Sequence, residues 1–391
     1  MTRALLFNSI AIVVFLLGLV FFTKYFQLAS LFAPNPTNQN ELSAASISQT
    51  ASTTVSVATS SLATSTTMVK AQPPKAVSNK APVSVATSTA DEVARIENPY
   101  STPPESFSDI NTQTRNAIVN ILCQPQGYSS LNPISGSGVI IDPRGIILTN
   151  AHVAQYVLLS ESPEIDLSCV IRTGSPARPT WSAVVLYIPP IWVSQHASEV
   201  SDQHPTGTGE HDYALLLITG SLNGTPLPSQ FPSLPVDTRP AIGFPGDQVL
   251  VGSYPAEFLG GIGAQYDLYA DTSITMIKQL LTFNAGTPDV LSLGGVIEAQ
   301  SGSSGGAVVD AWGYLVGIIA TTSSGTTTAD RDLRAVALSY INTDIAAQSG
   351  SSLNTLLAGN PANEVTQFNN TTAPALIQQY VSILSSNEAT Q

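Results

Sequence analysis

The chain has 391 residues, a formal net charge of −13 at pH 7, and an apolar fraction of 43% that is sufficient for a sizeable core. The negative charge repels phosphate backbones, so we expect no nucleic-acid partner. Charged residues make up only 10% of the chain; Ser, Thr, Gly and Pro take their place, and they favour strands and loops over surface helices.

The first predicted element is the apolar segment 4–22, which only Asn8 and Ser9 interrupt. As a helix rising about 1.5 Å per residue, it comes close to spanning a hydrocarbon core of ~30 Å. The apolar region of a cleavable signal peptide is shorter, about 7–15 residues. We therefore predict that residues 1–24 are a single-pass transmembrane signal-anchor and that the rest of the chain is extracytoplasmic at the cell membrane. The alternative is signal cleavage and secretion.

The next segment, from about residue 34 to residue 104, is rich in Ser, Thr, Ala and Pro and has almost no aromatic residues. It cannot bury enough apolar surface to offset the conformational entropy that ordering would cost. We predict that residues 25–108 form a disordered linker between the membrane and a folded domain.

From about residue 111, short runs of apolar and β-branched residues alternate with Gly, Pro, Asn and Asp. Regularly spaced short strands are typical of an all-β sandwich or barrel, and nothing resembles the strand–helix alternation of a parallel sheet. A C-terminal helix is expected over 373–384. The predicted strands are 116–123, two within 138–149 around an Asp-Pro-Arg-Gly turn, 169–172, 181–188, 213–219, 248–253, 273–281, 295–298, 307–309, 315–321 and 335–338.

Three short motifs carry the residue types that acyl transfer requires: a nucleophile, a base, a group that orients the base, and donors for the oxyanion. Ser304 lies in Gly-Ser-Ser-Gly-Gly, where the glycines permit a sharp turn that presents the hydroxyl. The backbone N–H groups of Gly302 and Ser304 would form the oxyanion hole. His152 would be the general base, and Asp212, at the start of an apolar strand, would orient its imidazole.

The order of these residues excludes one competing fold. The motif around Ser304 also fits the Gly-x-Ser-x-Gly elbow of α/β-hydrolases, but their catalytic histidine follows the serine, and all four histidines here precede it. His196, His204 and His211 lie in a stretch rich in Ser, Pro and Gly without tight ligand spacing, so we predict solvated loop residues and no metal site. The segment 188–210 is interpreted as a surface insertion.

The motifs resemble those of trypsin-like (chymotrypsin-fold) serine peptidases and are similar to the bacterial HtrA/Deg type. Residues 136–152 are similar to the strands that lead to the catalytic histidine, residues 212–216 to the aspartate strand, and residues 302–306 to Gly-Asn/Asp-Ser-Gly-Gly. The resemblance covers roughly residues 110–348 and implies two packed six-stranded antiparallel β-barrels with the site between them.

The resemblance also divides the chain. It implies a trypsin-like peptidase domain over residues 109–348, and residues 349–391 remain as a C-terminal extension with a helix. HtrA-type peptidases usually carry a PDZ domain after the peptidase domain, and this extension is too short for one.

The register of the family places the wall of the substrate pocket at Ile319, Ala320 and Thr321. It also places Glu298, six residues before Ser304, where trypsin-like enzymes carry the acid that binds a basic side chain. The alternative is a preference for a small apolar residue before the scissile bond, as in the HtrA branch.

The two cysteines form no Cys-x-x-Cys pair, so a zinc or redox motif is not supported. Cys123 and Cys169 fall on two predicted strands that flank the His152 segment, and we predict a disulfide that closes a loop of about 45 residues. A disulfide would fit an extracytoplasmic location. Two buried free thiols are the alternative.

The sequence therefore predicts a membrane-anchored, extracytoplasmic serine endopeptidase that works through an acyl-enzyme. Its expected partners are the membrane, through the N-terminal helix, and protein or peptide substrates, unfolded ones included; no cofactor is implied. Two alternatives remain open: a catalytically inactive binding module with the peptidase fold, and a serine esterase on the same scaffold.

Overall fold

The computed structural model describes residues 88–89, 95–126, 131–202, 207–240, 242–257, 259–283, 286–323 and 325–388. The predicted membrane segment and most of the predicted linker lie outside these ranges. Within them, no helix combines the length and the apolar character needed to cross a membrane.

The described chain begins with a two-residue strand, β1 (Ser88–Thr89), and an extended segment that leads to helix α1 (Phe107–Ala117). The end of the predicted disordered linker makes specific contacts. The ring of Tyr100 stacks on Tyr314 at a centroid distance of 4.3 Å, and Trp312 Nε1 donates to the carbonyl of Thr102 at 2.9 Å. These contacts fix residues 95–106 against the body, although their composition resembles that of a linker.

Helix α1 occupies the first part of a predicted strand. Ser106 caps the helix by accepting a hydrogen bond from Asp109 N, and a capping serine favours a helix over an extended start. Asn116, predicted to begin a strand, therefore lies in the last turn of α1, and the strand begins at Ile118.

The first half of the body is a closed antiparallel barrel of six strands in the order β2-β3-β4-β7-β6-β5. Its side chains alternate as strand geometry requires: Val119 and Ile121 are buried in one apolar cluster, whereas Ile118 is buried in another that includes second-half residues such as Ile318. The strands are β2 (Ile118–Pro125), β3 (Ile134–Asp142), β4 (Ile146–Thr149), β5 (Leu167–Thr173), β6 (Arg178–Tyr187) and β7 (Ala214–Ser221).

The second half is a half-barrel rather than a six-stranded barrel, which corrects one part of the prediction of two packed six-stranded antiparallel β-barrels; the pair of sheets still fits the chymotrypsin fold. Its eight antiparallel strands have the order β1-β10-β11-β14-β13-β12-β8-β9. Strands β9 and β11 approach each other, since Thr275 Oγ1 donates to Leu293 O at 3.1 Å, but no strand ladder joins them in the described chain. The remaining strands are β8 (Gln248–Ser253), β9 (Asp271–Met276), β10 (Gln279–Thr282), β11 (Val290–Gly294), β12 (Ala307–Val309), β13 (Leu315–Thr322) and β14 (Leu333–Ala337).

Two predicted strands of this sheet are wrong. The single strand predicted over 273–281 is divided into β9 and β10. The strand predicted over 295–298 is a turn, and the strand lies just before it as β11. Gly294 ends β11 with a φ of 76°, which side chains other than glycine rarely adopt.

The helices lie around the sheets and after the last strand. The segment 188–210 was interpreted as a surface insertion, but its described part before residue 203 packs on the body. Trp192, Val193 and Val200 are buried in the same apolar cluster as Tyr380, and Tyr156 donates to Val200 O at 2.8 Å. The helices are α2 (Ala151–Ser160), α3 (Pro190–His196), α4 (Gly260–Tyr266), α5 (Leu338–Ser349), α6 (Leu353–Ala358), α7 (Pro361–Thr371) and α8 (Ala373–Glu388).

The predicted disulfide is confirmed. Cys123 on β2 and Cys169 on β5 lie directly opposite each other in the strand ladder and are bonded. Their separation of 46 residues corresponds to a stabilisation of about 4 kcal/mol in the chain-entropy model. The bond joins the two strands whose pairing closes the first barrel.

Candidate active site

Pairing of β4 with β7 brings His152 and Asp212 together. Thr149 lies opposite Ala214 in this ladder, so the residues just after β4 meet those just before β7. His152 Nδ1 lies 2.7 Å from Asp212 Oδ2, and the backbone N–H of His152 donates to Asp212 Oδ1 at 3.0 Å. Because a carboxylate only accepts, Nδ1 carries the proton and Nε2 is left as a base.

Asp212 is held in place from a second direction. Its side chain is buried, and its backbone carbonyl accepts a hydrogen bond from Asn150 Nδ2 at 2.8 Å. Burial alone would lower the pKa of His152, but the charge of Asp212 and its hydrogen bond outweigh burial, so this pKa lies above its usual value. The arrangement makes the neutral imidazole a stronger base than a free histidine.

The loop that carries Ser304 packs directly on the first barrel. A Cβ on Gly305 would lie 2.1 Å from Ser137 O and 2.5 Å from Thr149 Oγ1, and its φ of 85° also requires glycine. Ser304 is half-buried beside this contact, at the end of β4 that leads into His152. In the described chain no hydrogen bond joins its hydroxyl to His152 Nε2; without substrate, such catalytic hydrogen bonds are often long.

Ser137 on β3 binds the backbone carbonyls of Gly302 and Ser304, the two residues whose N–H groups are predicted to form the oxyanion hole. Its hydroxyl donates to Gly302 O at 2.7 Å and accepts from Tyr254 N at 2.9 Å, and its own N–H donates to Ser304 O at 2.7 Å. Across the described ranges, the N–H groups of Gly302 and Ser304 donate to no protein group. Two unpaired N–H groups beside a nucleophile are suited to bind an oxyanion.

No motif in the sequence indicated this role for Ser137. The residue belongs to the Gly-Ser-Gly stretch compared with the family, but its partner Gly302 lies 165 residues away. No local pattern predicts such a contact.

One of the three predicted pocket-wall residues, Ile319, adjoins the nucleophile loop through the backbone of β13. Gly305 N donates to Ile319 O, and Ile319 N donates to Gly306 O, both at 2.8 Å. Ala320 is buried and Thr321 is half-buried. The end of β13 thus lies directly beside the loop that carries Ser304.

Glu298 is fully buried rather than exposed. Within the described chain, neither of its carboxylate oxygens makes a hydrogen bond of good geometry. Its pKa is raised to about 7, mainly by burial and in smaller part by the charge of Asp271, although the nearby Ser273 and Arg115 act to lower it. An unpaired buried acid is costly to a fold, so it suggests a ligand that supplies the missing partner.

The other histidines do not form a metal site among the described residues, where no group of three or more potential ligands occurs. His196 pairs with Glu199 at 3.2 Å, and His204 lies outside the described ranges. The prediction that His211 is a solvated loop residue is wrong: its side chain is 15% exposed and pairs with Asp344 at 2.8 Å.

Comparison with known protein families gives a match, and it covers all three predicted catalytic residues. A family model described as "Trypsin-like peptidase domain" matches residues 136–318, a range that includes His152, Asp212 and Ser304. No curated protein matches the chain. Among solved structures, the chain is similar to the crystal structure of the serine endoprotease from Yersinia pestis, with 20% identity, a TM-score of 0.39, and coverage of 64% of this chain and 70% of that chain.

The match to the family model supports the assignment of this chain to the serine endopeptidases, a class of hydrolases. Within that class, residues 136–318 belong to the trypsin-like peptidase family.

Proposed function

We propose that the chain hydrolyses peptide bonds in polypeptide substrates through a covalent acyl-enzyme on Ser304. One observation carries the proposal: His152, oriented by Asp212, lies at the end of the strand on which the Ser304 loop packs. The unpaired N–H groups of Gly302 and Ser304 support it, since they provide a place for the developing negative charge.

The proposed reaction has two halves. Ser304 Oγ attacks the scissile carbonyl carbon while His152 Nε2 takes its proton, and Asp212 stabilises the imidazolium. The oxyanion binds the two N–H groups, the C–N bond breaks, and the leaving amine takes the proton from His152. A water molecule then attacks the acyl-enzyme with His152 as its base, which releases the acid and restores the Ser304 hydroxyl.

We propose further that Glu298 binds a basic side chain before the scissile bond. A guanidinium or ammonium group would give this buried carboxylate a charged hydrogen-bond donor, which its oxygens lack among the described residues. The alternative keeps Glu298 protonated and the pocket selective for small apolar residues; Ile319 and Ala320 are suited to line it.

We propose an extracytoplasmic location with membrane anchoring through residues 4–22. The apolar length of this segment supports an anchor. The Cys123–Cys169 disulfide supports residence in an oxidising compartment. Signal cleavage and secretion would satisfy the second observation equally well.

Hydrolysis of three substrates by the full chain tests the proposed function: an unfolded protein such as casein, a peptide amide, and a simple ester. We expect the wild type to cleave all three, because His152 provides the general acid step that amide hydrolysis requires. His152→Ala should lower kcat for casein and amide by at least about 10³-fold.

His196→Ala is the matched control, since it removes a carboxylate-paired histidine outside the site, and it should retain activity. Cleavage of the ester alone would identify an esterase. A folded wild type that cleaves none of the three would identify a binding module.

A further inference from the structure

A second histidine–aspartate pair lies beside the proposed catalytic pair. Asp344, on helix α5, accepts hydrogen bonds at Oδ2 from His211 Nδ1 at 2.8 Å and from the hydroxyl of Tyr213 at 2.7 Å. Gln348 Nε2, one turn further along α5, donates to the same oxygen at 2.6 Å. The residues immediately before and after Asp212 therefore bind a single carboxylate oxygen.

The backbone at this point requires such support. His211 has a φ of 58°, and it is the only non-glycine residue with positive φ in the described chain. This conformation costs roughly 1–3 kcal/mol and persists only where the surroundings hold it. The N–H of His211 donates to the hydroxyl of Tyr340 at 3.3 Å, so α5 also holds the main chain at the turn.

The turn points neighbouring side chains in opposite directions. His211 and Tyr213 reach Asp344, while Asp212 between them reaches His152. The side chains of His211 and Asp344 are only 15% and 11% exposed, and Tyr213 is fully buried. Shielding from water strengthens the hydrogen bonds that hold the segment on one side, so the direction of Asp212 on the other side is fixed.

We propose that His211 and Asp344 form a positioning pair, which clamps the chain on both sides of Asp212 and holds its carboxylate against His152. The inference rests on the proposed function, since it assigns a role within that site. It also gives α5, which lies beyond the residues that match the family model, a part in the reaction.

The test compares the full-length wild type with Asp344→Ala. We expect kcat to fall about 10- to 100-fold with little change in KM, because small misplacements of catalytic groups have effects of this size. The rate of inactivation by a fluorophosphonate is then measured against pH. Since Asp212 raises the pKa of His152, its displacement should move the acid limb of this profile to lower pH.

A second pair of variants separates positioning from folding. Asparagine tolerates positive φ, and its amide can donate to Asp344, so His211→Asn should retain most of the activity that His211→Ala loses. If the pair had a purely structural role, these variants would lower thermal stability without moving the acid limb of the pH profile of inactivation. If Asp344→Ala does not fold, Asp344→Asn, which keeps the shape of the side chain, should show the same shift at smaller size.

Glu199→Ala is the control, because it breaks a similar carboxylate–histidine pair outside the Asp212 segment; kcat and the pH limb should not change. A folded Asp344→Ala with wild-type kcat and pH limb overturns the inference. A folded wild type that the reagent does not label at Ser304 contradicts the proposed function instead.

Discussion

Replacing Asp212 by asparagine should lower kcat by about 10⁴-fold while the fold stays intact. An asparagine amide facing His152 Nδ1 would donate to it and move the ring proton to Nε2, where it blocks attack by Ser304. Loss of the Asp212 charge also removes the main influence that raises the pKa of His152. The wild-type acid limb of kcat/KM should therefore lie above pH 6.5, the ordinary pKa of histidine, and the limb of the variant should lie lower.

Kinetics on a peptide amide across pH measure both effects. Asp332→Asn is the matched control, because Asp332 is another carboxylate that accepts hydrogen bonds, from Ser292 Oγ and Gly294 N, outside the site. It should leave kcat unchanged. An Asp212→Asn variant within tenfold of the wild type would show that Asp212 does not orient the base.

Glu298→Gln should change how stability depends on pH. In the folded protein the pKa of Glu298 is about 7, above its ordinary value of 4.5, so the folded state keeps this proton after the unfolded state has lost it. The free energy of unfolding therefore falls as pH rises from 4.5 through about 7. The difference in the free energy of unfolding between about pH 4 and about pH 8 should be about 3 kcal/mol smaller in the variant than in the wild type.

Urea denaturation at the two pH values measures this difference, and Glu199→Gln, at a more exposed glutamate that already has a partner, is the control. An unchanged difference in Glu298→Gln would show that the acid is paired or hydrated in the folded protein.

The same variant tests the proposed role of Glu298 in specificity. If a basic side chain binds there, wild-type kcat/KM should be higher for substrates with Arg before the scissile bond than with Val, and Glu298→Gln should remove this preference. The preference should also weaken as pH falls below about 7, where the acid becomes protonated. A preference for Val would favour the small-residue alternative, and equal rates would contradict both.

The sequence was sufficient to predict those contacts of the site that follow from the order of the motifs and the pairing of their strands. The motifs around His152 and Asp212 flank two apolar runs that pair as β4 and β7, and this pairing brings the side chains together. The disulfide was accessible for the same reason, since both cysteines lie on predicted strands.

Helix α2 escaped prediction because it is buried on nearly every side. Eight of its residues, from Ala151 to Leu159, are buried, so the stretch lacks the apolar–polar alternation by which an amphipathic helix is found. Helix α3 escaped for another reason. It lies in the segment 188–210, which was interpreted as a surface insertion, whereas Pro190 occupies the first turn of the helix, a position that proline favours.

The supporting contacts of the site could not be predicted at all. Ser137 meets Gly302 across 165 residues of sequence, and His211 meets Asp344 across 133. Such pairs form only when the two halves and α5 pack together. A single sequence contains no periodicity from which these distant partners could be predicted. The strained turn at His211 has the same origin, since its partners lie on α5.

Labelling of the full chain by a fluorophosphonate, followed by mass spectrometry of its peptides, tests the central claim most directly. The wild type should carry the label on Ser304, Ser304→Ala should carry none, and Ser303→Ala, which alters the neighbouring hydroxyl, should still be labelled. A folded wild type that remains unlabelled, or a label on another residue, would contradict the assignment of Ser304 as the nucleophile.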